Sequence, residues 1–315
     1  MDTGSHLLFG ATLAGLAYTD PVVAANPELA LTVFVGCLIG SHAPDFDTLT
    51  RLKSFSAYVL IHRGVTHSIP ALFIWPLLIA LPLAWGFGME GGVNFLHLYG
   101  WICAAVVFHV LVDLFNVYGV QVLRPFSAQW HHLDSLALFE PFLWVVHGAG
   151  LLLWIATDLP VDRVFEVVYG ITLTYIAARF IQQFYIRRMV SKQLDLQGIC
   201  RIAPSLNWFK WQFSLETGSH FYTGSIACRD VRIEQVYSID SSHSVIEASK
   251  GTDGVRAFLQ FTQFVHVCFT EHEGGFEVQW RDSRFRHNRK QPFGADIFLD
   301  RNLNVVREKI GWDKK

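Results

Sequence analysis

The chain has 315 residues, of which 51% are hydrophobic and only 17% charged, with 26 Phe and 10 Trp. A soluble domain carries about 25% charged residues, so this balance predicts that part of the chain lies in lipid. A formal net charge of −2 speaks against a nucleic-acid-binding surface spread over the molecule.

The N-terminal stretch MDTGSHLLFGATLAGLAYTD lacks a basic leader region and is broken by Gly and Thr, unlike a cleaved signal peptide. Two short apolar stretches, residues 7–17 and 29–39, read as re-entrant or bundle-buried helices. Four longer runs approach spanning length: residues 69–88, with internal prolines that predict kinks, then 95–118, 141–159 and 164–186. Arg51, Lys53 and Arg63 precede the first run, Arg124 follows the second, and Arg187, Arg188 and Lys192 follow the fourth. By the positive-inside rule these loops and the C-terminal part face the cytoplasm.

Beyond residue 189 the pattern changes to strands. HFYTGSIACRD, VRIEQVYSID and AFLQFTQFVHVCFTEHEGGFEVQW alternate apolar with polar residues, and EHEGGFEV reads as a hairpin turn. The predicted fold is an all-α, multi-spanning membrane domain over residues 1–188 followed by a small, mainly antiparallel β domain over 189–315. The five cysteines (37, 103, 200, 228, 268) are odd in number and form no CxxC pair, which excludes a thiolate zinc site or a disulfide framework. The basic, aromatic run WRDSRFRHNRK, residues 280–290, reads as a solvated turn that could touch anionic lipid headgroups.

Polar residues in apolar runs are expensive and therefore informative. His109 and Asp113 in FHVLVDLF stand i, i+4 on one helix face and can hold one metal ion; the bland alternative is a packing hydrogen bond. In GSHAPDFDTL, Pro44 sets an extended or turn conformation, and Asp45 and Asp47, two apart, face the same way. Such oxygen ligands can bridge two ions, although an Asp-rich helix cap is the plainer reading. His42 precedes the proline and is the weaker candidate. His6, and the His62, Arg63 and His67 of HRGVTHS, map to the same cytoplasmic side. Nitrogen and oxygen donors without thiolates suit a hydrolytic divalent-metal site, zinc first and manganese or magnesium next, with Arg63 holding a phosphate.

The motifs MDTGSH, APDFD, HRGVTHS and HVLVDLFNVYGVQVLRPFS, in this order, resemble the membrane-bound, metal-dependent hydrolases of the LexA-binding, inner-membrane-associated (YdjM-like) family. The resemblance covers about residues 1–160. It implies a distant similarity to the zinc-dependent phospholipase C and single-strand nuclease superfamily, whose His/Asp metal clusters cleave phosphodiesters. That superfamily's ligand order is matched by His6, Asp45, His62 or His67, and His109 with Asp113. Its later His and acid pair has only partial counterparts in His131, His132, His147 and Glu140, the last in LFEPF, so one or two ions are expected. The resemblance implies a multi-pass protein of the bacterial inner membrane, acting at the cytoplasmic face on a phosphodiester or phospholipid. No direct nucleic-acid binding is expected. The alternatives are a non-enzymatic membrane regulator with a structural metal site and a cytoplasmic protein partner, or a transporter. A transporter is disfavoured by the lack of repeated halves.

Overall fold

Helix α1 (Thr3–Leu16) begins where the Asp2 carboxylate accepts the Ser5 N–H at 3.1 Å. A short α2 (Pro21–Ala24) leads to α3 (Pro27–Gly40), capped by Asn26 through the amides of Glu28 and Leu29. The computed structural model describes residues 1–53, 58, 61–88, 92–239, 243–262, 264–283 and 291–312. It divides into two compact units, Met1–Asp47 with Arg63–Gln182, and Thr48–His62 with Gln183–Lys315.

The first unit is helical: α4 (Ile69–Gly86), α5 (Gly92–Leu114), α6 (Pro141–Ala156) and most of α7 (Val161–Leu194) join α1 and α3. Its core includes Leu29, Val33, Leu98, Ile102, Leu143 and Phe165. Glycine sets how close the helices come. A Cβ on Gly10 of α1 would lie 2.8 Å from the Cys37 carbonyl of α3, and one on Gly36 would lie 2.7 Å from Ile102 of α5. Small residues allow this backbone-to-backbone approach in lipid, where no hydrophobic force drives helices together. The result brings the starts and ends of α1, α3 and α5 to one place.

Among the described residues, α4, α5 and α7 are long and apolar enough to cross a membrane. A fourth crossing results if α3 and the 3-10 run Ala43–Leu52, bent 41° from it, count as one. The boundaries differ from the sequence expectation for physical reasons. The second run stops at Leu114, not 118, because Asn116 turns the chain: its N–H reaches the Asp113 carbonyl and its side-chain oxygen accepts from Tyr118 N. The third helix has only 16 residues, about 24 Å, short of the roughly 30 Å of hydrocarbon. The fourth continues unbroken to Leu194.

The second unit carries two antiparallel four-stranded sheets, each in sequence order, where the sequence suggested a single small β domain. Strands β1 (Ile199–Pro204), β2 (Lys210–Glu216), β3 (His220–Ala227) and β4 (Asp230–Ser238) form the first. Ile186 and Val190, in the last turns of α7, pack on its Cys200, Ile202, Trp211 and Phe213. Helices α8 (Ser244–Ser249) and α9 (Asp253–Phe261) pack on the second sheet, β5 (Val265–His272), β6 (Gly275–Asp282), β7 (Phe293–Asp300) and β8 (Val305–Trp312). The hairpin expected at EHEGGFEV is β5–β6, closed by the pair His272 and Gly275. Gly275 has φ +149°, and a Cβ there would collide with the Leu299 carbonyl. Residues 284–290 of the basic run lie outside the described residues.

Candidate metal centre

Helix α5 presents His109 and Asp113 on one face, one turn apart, and both are buried. The bend after α3 delivers Asp45, and the 3-10 turn Val65–His67 delivers His67. Four donor atoms, one each from Asp45, His67, His109 and Asp113, lie within 4.8 Å of one another. His67 Nε2 is 3.2 Å from His109 Nε2. Each of these nitrogens is 3.6 Å from Asp45 Oδ1 and 3.5–3.6 Å from Asp113 Oδ2. Asp113 Oδ2 is buried and accepts no hydrogen bond among the described residues.

The outer hydrogen bonds fix which nitrogens carry protons. His109 Nδ1 lies 2.6 Å from the Ser41 carbonyl, which can only accept, so Nδ1 carries the hydrogen and Nε2 is bare. Thr66 has one hydroxyl hydrogen, given to Asp47 Oδ2 at 2.5 Å. Its oxygen, 3.0 Å from His67 Nδ1, therefore accepts the hydrogen of that nitrogen, and His67 Nε2 is bare as well. Burial pushes His67 down to about 3, which keeps the imidazole neutral near pH 7. Two nitrogen lone pairs and two carboxylate oxygens thus converge on one point. Without a cation they repel; with a divalent cation they form an N2O2 donor set.

Asp113 Oδ1 faces the other way, onto positive charge. It accepts from the Met1 α-amino group and from Arg63 Nη2 at 3.1 Å, with His6 Nε2 at 3.4 Å. His6 stacks on the His109 ring, centroids 3.7 Å apart, and touches the Met1 nitrogen at 2.9 Å. Arg63 is itself held at φ +63°, a left-handed conformation uncommon for a side-chain-bearing residue. Its N–H donates to Asp47 Oδ2 at 3.0 Å, its carbonyl accepts from Gln121, and its guanidinium lies over Tyr118. Asp47 therefore organises the HRGVTHS loop through Arg63 and Thr66.

The remaining candidates are not among the four converging residues. Glu140 is buried, accepting from Ala137 N and from the Tyr175 hydroxyl, each at 2.6 Å. Burial raises its pKa. It fixes the entry to α6 and is not one of the four converging residues. His62 belongs to the second unit, half-buried, and stacks on Tyr58. His42 meets Phe46 edge to face. His132 pairs with Asp134 at 2.9 Å, and His147 is held between Thr12 and Thr172. Sequence reasoning did not identify the Met1 amino group or the Ser41 carbonyl. No residue type signals a backbone group; only the fold brings them in.

The YdjM inner membrane protein family matches residues 1–186, and the YfhP C-terminal alpha/beta plait domain matches residues 244–315. The uncharacterized protein YfhP of Bacillus subtilis (strain 168) is 34% identical over 316 residues, an alignment covering 99% of this chain and 95% of that protein. No solved structure matches. The N-terminal helices and buried His/Asp cluster lie within the first match, and this chain is a multi-pass membrane protein of the YdjM inner membrane protein family.

Proposed function

We propose that the chain is a membrane-bound, metal-dependent hydrolase that holds a divalent ion between Asp45, His67, His109 and Asp113. The observation that carries this reading is the pair of bare Nε2 atoms at 3.2 Å, with carboxylate oxygens beside them and no hydrogen between them. The imidazole content favours zinc, with manganese or magnesium as the alternatives. The ion would supply Lewis acidity and an activated water near neutral pH. Ser41 and Thr66 hold the two imidazoles in the binding tautomer, and Asp47 holds Thr66.

Arg63 steadies Asp113 while its Nε and Nη1 make no hydrogen bond among the described residues. Those N–H groups suit an anionic oxygen, which supports a phosphodiester or phospholipid substrate. Ligands at the ends of membrane helices suit a substrate that arrives along the bilayer. The basic loops favour the cytoplasmic face for this chemistry. A second reading has its own support: four protein donors fill the tetrahedral shell of a structural zinc. It makes the chain a membrane regulator with a cytoplasmic partner.

The test compares metal content and turnover of bis(p-nitrophenyl) phosphate in detergent-purified wild type and Asp113→Ala. The hydrolase reading expects stoichiometric metal and turnover, both lost in the variant. Stoichiometric metal without turnover supports the structural reading. No bound metal, even after zinc or manganese is added, removes both.

A further inference from the structure

A groove of about 490 Å³ runs between α6 and α7, and every residue that lines it except Arg163 is apolar. Its floor is set where the helices touch: a Cβ on Gly150 would lie 2.7 Å from Val168 Cγ2. Val145 and Leu153 form its wall on α6, Val167 and Ile171 its wall on α7, and all four are exposed. Ala149 lies between the first two on the same helix face, where its single methyl group leaves the middle open. From Val145 to Leu153 the groove follows about 12 Å of α6. It is separate from the metal centre. Helix α6 begins beside Ser5, whose hydroxyl accepts from Trp144 Nε1 at 2.8 Å, and the groove runs towards the other end of the helix.

That end carries charge. Arg163 lines the groove, and Asp158, Asp162 and Glu166 stand close to it in the chain. Arg163 Nη1 donates to Glu166 Oε2 at 2.8 Å, its Nε lies 3.8 Å from Asp162 Oδ2, and its side chain is 73% exposed. A guanidinium has five N–H groups, so one bond to Glu166 leaves donors for an anionic oxygen. Three carboxylates around one guanidinium leave the mouth net negative, which repels an anionic headgroup. A headgroup that joins a phosphate to an ammonium matches both signs. A primary ammonium also donates up to three hydrogen bonds to carboxylates, which a quaternary choline cannot. The helix of a second copy fits less well. It would seal these charges under protein, and the close approach that Gly150 permits is already taken by Val168.

We propose that this groove binds one acyl chain of a phospholipid with a primary-ammonium headgroup, of the phosphatidylethanolamine type. Its phosphate lies on Arg163 and its ammonium on Asp162 and Glu166. Lipid surrounds these helices in any case; the groove and its charged mouth select one headgroup from it. Binding here does not depend on metal at Asp45, His67, His109 and Asp113.

The test is native mass spectrometry of the full chain, released from nanodiscs that hold equal parts of phosphatidylethanolamine, phosphatidylcholine and phosphatidylglycerol. Wild type is expected to retain a single phosphatidylethanolamine, favoured about tenfold or more over either other lipid. Ala149→Phe fills the groove from an exposed position and is expected to lose that lipid. Asp162→Asn with Glu166→Gln is expected to abolish the preference over phosphatidylcholine, and Arg163→Gln to lower retention of every phospholipid. Circular dichroism checks the helices of each variant, with Ala149→Leu in place of Ala149→Phe should the larger ring unfold them. No retained lipid in wild type, or retention that the residue 149 variants leave unchanged, overturns the groove. Equal retention of the three lipids, or a preference that survives Asp162→Asn with Glu166→Gln, overturns the headgroup assignment. A lipid-free dimer that Ala149→Phe breaks replaces the lipid by a second copy of the chain.

Discussion

His67 Nε2 and His109 Nε2 face each other at 3.2 Å, and the outer nitrogen of each ring is engaged, by Thr66 and by the Ser41 carbonyl. Two neutral imidazoles pointing lone pair to lone pair are not a hydrogen bond. They are half of a donor set that, with Asp45 and Asp113, could hold a metal ion.

The Thr66 hydroxyl is expected to act on a bound metal through His67. Thr66→Val keeps the size of the side chain but removes the acceptor for His67 Nδ1–H and the donor to Asp47. We expect metal affinity to fall about 10–100-fold, measured by chelator competition, and Thr66→Ser to restore it. Unchanged affinity in Thr66→Val would separate His67 from the ion.

Arg63 separates binding from turnover. Its Nη2 lies on Asp113 Oδ1, the oxygen turned away from the four-donor point. Arg63→Gln is expected to keep stoichiometric metal while turnover of bis(p-nitrophenyl) phosphate falls about 100-fold. Loss of metal together with turnover would assign Arg63 to holding the site together.

Much of this centre is legible in the sequence, because His109 and Asp113 share a helix face by spacing alone and Pro44 marks the turn that offers Asp45. His67 is legible only as one of two histidines in HRGVTHS. What brings His67 to the four-donor point is the 3-10 turn after Gly64, following the left-handed Arg63. Glu140 is a candidate only through the resemblance, as the acid expected at the start of the third apolar run. Its partners Tyr175 and Arg179 lie on α7, far along the chain, and no local pattern announces them. Membrane helices were legible from hydropathy. The paired four-stranded sheets were not, since alternation identifies strands but not how they divide into sheets.

Glu140, held by Ala137 N and the Tyr175 hydroxyl, is expected to act on stability. Glu140→Ala leaves the Ala137 N–H and the Tyr175 hydroxyl without their acceptor in a buried place. The expected cost is about 1–3 kcal/mol in a detergent unfolding titration, with metal content unchanged. Loss of metal without loss of stability would return Glu140 to the ligand set.

The β-rich unit carries its own acid sensitivity in His266, which is buried, packed against the Tyr237 ring and bonded through Nδ1 to Gln291. Burial lowers its pKa to about 4. The unfolded chain takes up a proton near 6.5 and the folded one near 4, so this stability is complete above pH 6.5 and is lost as pH falls towards 4. Between pH 7 and 5 the loss is about 2 kcal/mol. Hydrogen exchange of β5 to β7 measures it, and His266→Gln is expected to flatten the slope across that window. A wild-type slope that survives in the variant would place the titrating group elsewhere.

The most direct measurement of the central claim is X-ray absorption at the metal edge of the detergent-purified wild-type chain, after equilibration with zinc or manganese and removal of excess ion. Stoichiometric metal is expected, with a first shell of nitrogen and oxygen only, the outer-ring scattering of two imidazoles, and loss of one imidazole in His109→Ala. No bound metal, a sulfur ligand, or an unchanged imidazole signal in His109→Ala would contradict it.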